Sequence, residues 1–508
     1  MTDNVFSNEY LLELMGVPSI NRITRKVDKY AKEINKNNIN IFIDNLKKLY
    51  KLCYNKHDNE QYPTNIDYND PFYMLHVKYT PSERAYWRDI GNYDEIRFGD
   101  LTLYSAFKDI SRLLKMVEEQ VHVTGTLNLK DNCIRYLSDI FISKFTIGKD
   151  LILSNSRIGY LPDNFGEINV GNNIVLFKNS LEKLPESIKN LKIKGDLNLA
   201  FNLIEYLPET FSEIKIRNLN LSHNKIMSLS DSFCPIKIDN LDLSYNKIKS
   251  LPKSFCAINV VNLKLNHNLI EDLSESFGKI NVSYLGLSDN NIESLPESFC
   301  TINVNSLDLS WNIIKKLPDT FGKIKIDNLN LSHNIIEKLP DTICEMNVNN
   351  LNLSHNRIEM LPVNIKNIII KGSLNLSHNK LSRLPNTIGE ICINNNLDLS
   401  FNLLKRLPKL FGEIHVGGSL FLNNNSLKKI PLSFSSGSVG NSLYLNHNYI
   451  ENIDDSFRNY NFKNIVDLSN NWGKLGNSKV FRKYKKINNL LRTYKEINEL
   501  INWFNWCL

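Results

Sequence analysis

The chain contains no uninterrupted run of about 18 apolar residues, the minimum for a membrane-spanning helix, so no such span is expected. Its eight cysteines form no CxxC pair and no terminal cluster. That spacing suits neither a zinc ribbon nor a dense disulfide framework. No P-loop, nucleophile elbow, H-E-x-x-H or G-x-G-x-x-G occurs, so neither a catalytic constellation nor a cofactor fingerprint is on offer. Excess charge is also missing from most of the chain. Residues 473–508 carry eight Lys/Arg and two acids, and the remainder holds 53 basic against 52 acidic residues. A near-neutral body lacks the basic face that phosphates require, so no nucleic-acid partner is expected. The opening MTDNVFSNEYLLELMG has an early acid and no basic-then-apolar signal pattern. Unpaired thiols and no signal pattern together imply a reducing, intracellular compartment.

What is present is repetition. Sixteen segments fit the frame L-x-L-x-x-N-x-I/L, as in Leu219-Asn-Leu-Ser-His-Asn-Lys-Ile226 and Leu307-Asp-Leu-Ser-Trp-Asn-Ile-Ile314. Aligned on the Asn, they recur every 22–24 residues from Asn132 to Asn471, with Ser156 as the one break. The pair L-x-L has period two, so both leucines point to one side of a short strand. A single coil cannot bury that side, but stacked coils bury it against each other. Where the strand ends the chain turns inward, and the Asn amide can satisfy the backbone groups stranded there. The proposed ladder is Asn202, Asn224, Asn246, Asn268, Asn290, Asn312, Asn334, Asn356, Asn379, Asn402, Asn425 and Asn448. Ser156 can do only part of this, so the second coil should be looser.

Leu-Pro follows the turn, as at Leu161-Pro162, Leu251-Pro252 and Leu407-Pro408, and three residues later comes Phe or Ile: Phe165, Phe211, Phe255, Phe299, Phe321, Ile343, Phe411. Stacked at one height, these predict a buried spine. Pro ends strand pairing and can open a short helical or 3₁₀ turn; Ile-x-Val or Ile-x-Ile then predicts an extended piece. Cys234, Cys256, Cys300 and Cys344 share a column with Gly278, Gly322, Gly389 and Gly412. A position that takes Cys or Gly wants a small side chain, so the thiols read as packing.

These motifs resemble those of the leucine-rich-repeat proteins, over about 345 residues. The resemblance implies an α/β solenoid of about 16 repeats over 121–472, with a curved, parallel, concave sheet and short helical or extended convex segments. Residues 1–120 are expected to be a mainly helical N-terminal region and cap, with helices over 8–15, 22–34, 38–54 and Leu103–Gln120. Phe6–Met15 and Ser19–Tyr30 distantly resemble an F-box, without its Leu-Pro start, which would imply a substrate adaptor of a ubiquitin ligase. Residues 473–508 are expected to cap the other end: Val480, Tyr484, Ile487, Leu491, Tyr494, Ile497, Ile501 and Phe504 form one helical stripe. Its basic residues, with Trp503 and Trp506, suggest a second use as a peripheral anchor on an acidic membrane surface. The abundance of Asn, Ile and Lys resembles proteins of AT-rich genomes, such as giant DNA viruses or protists. That implies the cytoplasm, a host's if viral.

The x positions are expected to project from the concave sheet. The first is mostly Asn or Asp, the second mostly Ser. The third is Phe201, His223, Tyr245, His267, Trp311, His333, His355, His378, Phe401 and His447. Planar amphipathic side chains are the types enriched at protein-binding hot spots. This column is therefore the candidate site for a protein partner, and the expected function is a non-catalytic interaction scaffold without metal or cofactor. His333, His355 and His378 could in principle approach one metal, but no carboxylate or thiol completes a closed set.

Overall fold

The computed structural model describes residues 75–79, 95–98, 101–105 and 120–471, other than 133, 436–437, 452 and 454–464. The helices expected over 8–15, 22–34 and 38–54, the F-box-like opening and the amphipathic segment 478–505 lie outside these residues.

One sheet of 18 strands runs along the described chain. Each coil contributes a strand of two to six residues, paired in parallel with its neighbours in strict repeat register. Leu219 lies opposite Leu241, and Leu241 opposite Leu263. Both leucines of each L-x-L are fully buried, as at Leu307 and Leu309, and they belong to one apolar core continuous from Val121 to Leu468. A parallel array of this kind needs a crossover between successive strands, and the return half of each coil supplies it.

That return half begins at Pro. Pro252 has φ −62° and its carbonyl accepts the Phe255 amide at 2.9 Å, which closes the 3₁₀ turn Lys253–Ala257. Thirteen 3₁₀ turns occur among the described residues, eleven closed on a Pro carbonyl and two on those of Ser230 and Ser274. Each aims one large side chain inward: Phe165, Phe211, Phe255, Phe299, Phe321, Ile343 and Phe411 are all at most 1% exposed. In the middle of this spine successive rings are nearly parallel, with centroids 6.4 Å apart for Phe255–Phe277 and 6.1 Å for Phe277–Phe299, while Phe411 and Phe434 are tilted by 31°. One α-helix, Asp139–Lys144, appears among the described residues, inside the 24-residue interval that alone has room for it.

The extended piece after the turn forms short sheets of its own: four strands from Glu95–Phe98 to Asn169–Val170, and five from Asn347–Val348 to Ser438–Val439. Between them it merges with the long sheet, as in Lys237–Asp242 and Asn303–Asp308. The 22-residue repeat permits the merger without enforcing it, since Val348 also precedes Leu351 by three residues yet the two stand in separate strands. In those 22-residue coils Val304 precedes Leu307 by three residues, and one strand spans both. In 23-residue coils Ile393 precedes Leu397 by four, and the extra residue bends the chain.

Two expectations for residues 1–120 need correction. The helix expected over Leu103–Gln120 is not what its ends adopt: Leu101–Ser105 is a strand, and Gln120 opens the strand Gln120–Val123. The parallel pairing of the solenoid also starts before residue 121. Glu95–Phe98 pairs in parallel with Gln120–Val123, and Leu101–Ser105 with Leu127–Asn128. This is a coil that keeps Leu101-Thr-Leu103 but has Ala106 where the frame calls for Asn. Strand Leu75–Tyr79 pairs antiparallel with Leu101–Ser105 and covers that edge of the sheet.

Candidate interaction surface along the repeat turns

The Asn column is internal. Asn224 donates through Nδ2 to Leu199 O one coil back and to Leu221 O in its own coil, both at 3.0 Å. Its Oδ1 accepts the Ile204 amide at 3.1 Å. Two bonds thus tie each turn to its neighbour and the third braces the turn itself, and the same set recurs at Asn246, Asn334 and Asn402. These side chains are buried, so their work is structural and no partner can reach them. Ser156, also buried, places Oγ 3.0 Å from Leu129 O and 3.1 Å from Ser154 O. A hydroxyl has one proton, so it serves these carbonyls in turn, where an amide serves both together.

Of the three x columns, the first lies on the strands. Asn220, Asp308 and their equivalents are half-buried, and their Oδ1 atoms accept the amide two residues on, at 2.9 Å for Ser222 and 3.1 Å for Ser310. The second column does not project from the sheet. Ser222, Ser244, Ser310, Ser332, Ser354, Ser377 and Ser400 are buried, because the chain has already turned inward there. Their hydroxyls are tied back, as Ser310 Oγ is to Asp308 Oδ1 at 2.6 Å.

The third column sits beyond the strand ends, in the turn itself. Every member has a left-handed backbone: Phe201 φ 57°, Tyr245 55°, Trp311 54°, His333 54°, and the others between 52° and 55°. Elsewhere in the column the same conformation is held by Asp131, Asn155, Lys178, Asp289, Asn424 and Asn470. The rings therefore form a ridge along the C-terminal edge of the long sheet rather than lining its face.

Within the ridge the rings stack. Phe201, His223, Tyr245 and His267 follow one another at centroid distances of 3.9, 4.1 and 3.9 Å. Trp311, His333, His355, His378 and Phe401 follow at 3.8, 4.0, 4.0 and 4.1 Å. All planes lie within 15° of parallel. Faces cover faces, and edges meet solvent. His447 stands apart, its Nε2 2.9 Å from Asn470 Nδ2. Parallel stacking also aligns the imidazole lone pairs instead of converging them, which is the wrong geometry for three ligands on one metal. Partial burial in the stack holds the His333 and His355 imidazoles below their usual pKa, with repulsion from His378 adding to it. His223 is lowered by burial too, against the pull of Asp242.

The in-frame repeats, the parallel sheet and the amide ladder together define a leucine-rich-repeat solenoid. No protein-family model matches the sequence, and no curated protein matches it. Similar solved structures include a leucine-rich-repeat protein of Leptospira interrogans, 22% identical, with TM-score 0.47, covering 72% of this chain and 100% of that one. The APL1 leucine-rich-repeat domain is 18% identical with TM-score 0.49, over 73% of this chain and 95% of that one. YopM from Yersinia enterocolitica is 20% identical with TM-score 0.32, over 69% and 85%.

Proposed function

We propose that the chain is a non-catalytic scaffold that binds a protein partner along the ring ridge and the adjoining face of the long sheet. The observation that carries this reading is the placement of Phe201, Tyr245, Trp311 and Phe401, 44–59% exposed, in left-handed turns. A left-handed residue other than Gly, Asn or Asp costs roughly 1–2 kcal/mol. Asn155, Asn424 and Asn470 fill the same turn at the ends of the array, so the backbone does not call for rings. Stacking returns about 0.5–1.5 kcal/mol per pair, which favours the stack but supplies no reason to leave its edges in solvent. A partner that covers those edges supplies one. The five described cysteines are free, which suits a partner met in a reducing cytoplasm. The adaptor and membrane-anchor readings rest on residues outside the described ones, and nothing favours them here.

The test is capture of a partner from cell lysate, then titration against a Trp311→Ala/Tyr245→Ala variant. Each truncation should weaken binding by roughly 1–3 kcal/mol, with the circular dichroism of the solenoid unchanged. Full affinity in a folded double variant would place the binding surface elsewhere.

A further inference from the structure

The ring ladder breaks at one coil near its middle. Between His267 and Trp311 the left-handed turn is held by Asp289, which has φ 54° and no ring. Asp289 Oδ2 lies 2.5 Å from His267 Nδ1, so its carboxylate is drawn towards the His267 side of the gap. Trp311 stacks on His333 with one face. Its other face has no ring against it among the described residues, and Trp311 is 59% exposed where Phe201, Tyr245 and Phe401 are 44–45%. The ladder advances by 3.8–4.1 Å per coil. Two steps leave about 8 Å between the facing rings, and one flat group at a contact distance of roughly 3.5–4.0 Å from each fills that space.

The charge beside the gap is negative. Asp308 stands on the strand leading to Trp311, and its register partner one coil back is Gly286, which offers no side chain to meet it. The nearest cation in the register, Lys264, turns away, with Nζ 3.5 Å from Asp242 Oδ2. Asp289 holds the turn on the open side of Trp311, and Asp308 lies three residues before Trp311 with Oδ1 taken up by Ser310; neither has a Lys or Arg partner among the described residues. A flat slot, an indole wall and two carboxylates match one side chain better than any other. Guanidinium is planar, stacks on aromatic faces and donates in a fork to carboxylates. The compact ammonium of lysine uses the charge but not the shape.

We propose that this gap is a guanidinium slot, which takes an arginine side chain of a protein partner, stacked on Trp311 with its N–H groups on Asp289 and Asp308. The proposal rests on the scaffold reading only in taking the partner to be a protein. The probe is the peptide acetyl-Gly-Arg-Gly-amide, titrated into the full chain and followed by tryptophan fluorescence, beside the same peptide with lysine or citrulline. The Arg peptide should give a saturable signal, absent in Trp311→Phe, at least fivefold tighter than either analogue. Asp289→Asn should weaken it at least fivefold. Asp289→His, whose ring would complete the ladder, should abolish it. Both substituents already stand in equivalent turns, His at His333 and Asn at Asn424, so at least one variant should fold, as checked by circular dichroism. Equal binding of Arg and Lys peptides, binding that survives in folded Asp289→His, or no saturable signal would each overturn the slot. Peptide selectivity combined with partner capture insensitive to Tyr245 and Trp311 would overturn the scaffold face instead.

Discussion

Oδ1 of Asn312 accepts the backbone N–H of Ile292, twenty residues earlier and one coil back, at 3.0 Å. The same amide donates to Leu287 O at 3.0 Å and Leu309 O at 3.1 Å. Asn312→Ala leaves all three buried groups without this partner. The expected loss is about 1–3 kcal/mol, read as a lower urea midpoint. A midpoint equal to the parent's would mean that these bonds are not needed to hold the coils together.

The small-residue column should be intolerant in a graded way. A Cβ on Gly322 would lie 1.6 Å from Thr342 O in the next coil, a contact with backbone that cannot swing aside, whereas a Cβ on Gly159 meets nothing within 4 Å. Gly322→Ala should therefore cost roughly 1–3 kcal/mol or more as coils are forced apart. Gly159→Ala serves as the neutral control. Similar melting of the two variants would contradict the close approach.

Arg157 is a second left-handed residue in the coil that has Ser156 in place of Asn, with φ 61° after Asn155 at 53°. Asn tolerates this region far better than Arg. Arg157→Asn should stabilise the protein by about 1 kcal/mol. Unchanged or lowered stability would show that Arg157 makes contacts worth more than the strain.

Acid should weaken the fold through the ring ladder. His223, His333 and His355 are held below the ordinary value of 6.5, chiefly by burial. Below about pH 6.5 the unfolded chain takes up protons that the folded chain refuses, so stability falls with falling pH. The loss levels off once the folded rings protonate. Urea midpoints at pH 7.5 and 5.5 should differ, and His333→Phe/His355→Phe should shrink the difference while keeping the stack. An undiminished difference would locate the acid sensitivity elsewhere.

The repeat frame was readable because its meaning is local. Leu219 and Leu221 alternate with period two, and Pro252 with Phe255 marks the return turn. The second and third x columns depart from expectation because a period of two does not continue past the strand's end: Asn328–Asn330 stops two residues before Ser332 and three before His333. Tyr and Trp do not announce a left-handed backbone, and His does so only weakly. The signal was in the exceptions, since Asp131, Asn155, Asp289, Asn424 and Asn470 share the column and are the residues that tolerate that conformation best. The coil at 95–105 escaped notice for a different reason. Leu101 and Leu103 keep the L-x-L pattern, but Ala106 stands where the frame calls for Asn, so the most diagnostic letter is missing.

The two ring columns advance by different amounts. Phe277 follows Phe255 at 6.4 Å on the return side, whereas His355 follows His333 at 4.0 Å along the sheet's edge. Each coil is therefore a wedge, thick at the phenyl spine and thin at the imidazoles, and wedges laid side by side cannot make a straight bar. At the ring-bearing turns the flat rings already stand near contact, about 3.5–4.0 Å, so the thin rim has little room to close further there. A surface seated along the rim therefore meets a concave edge, narrower in step than the spine behind it.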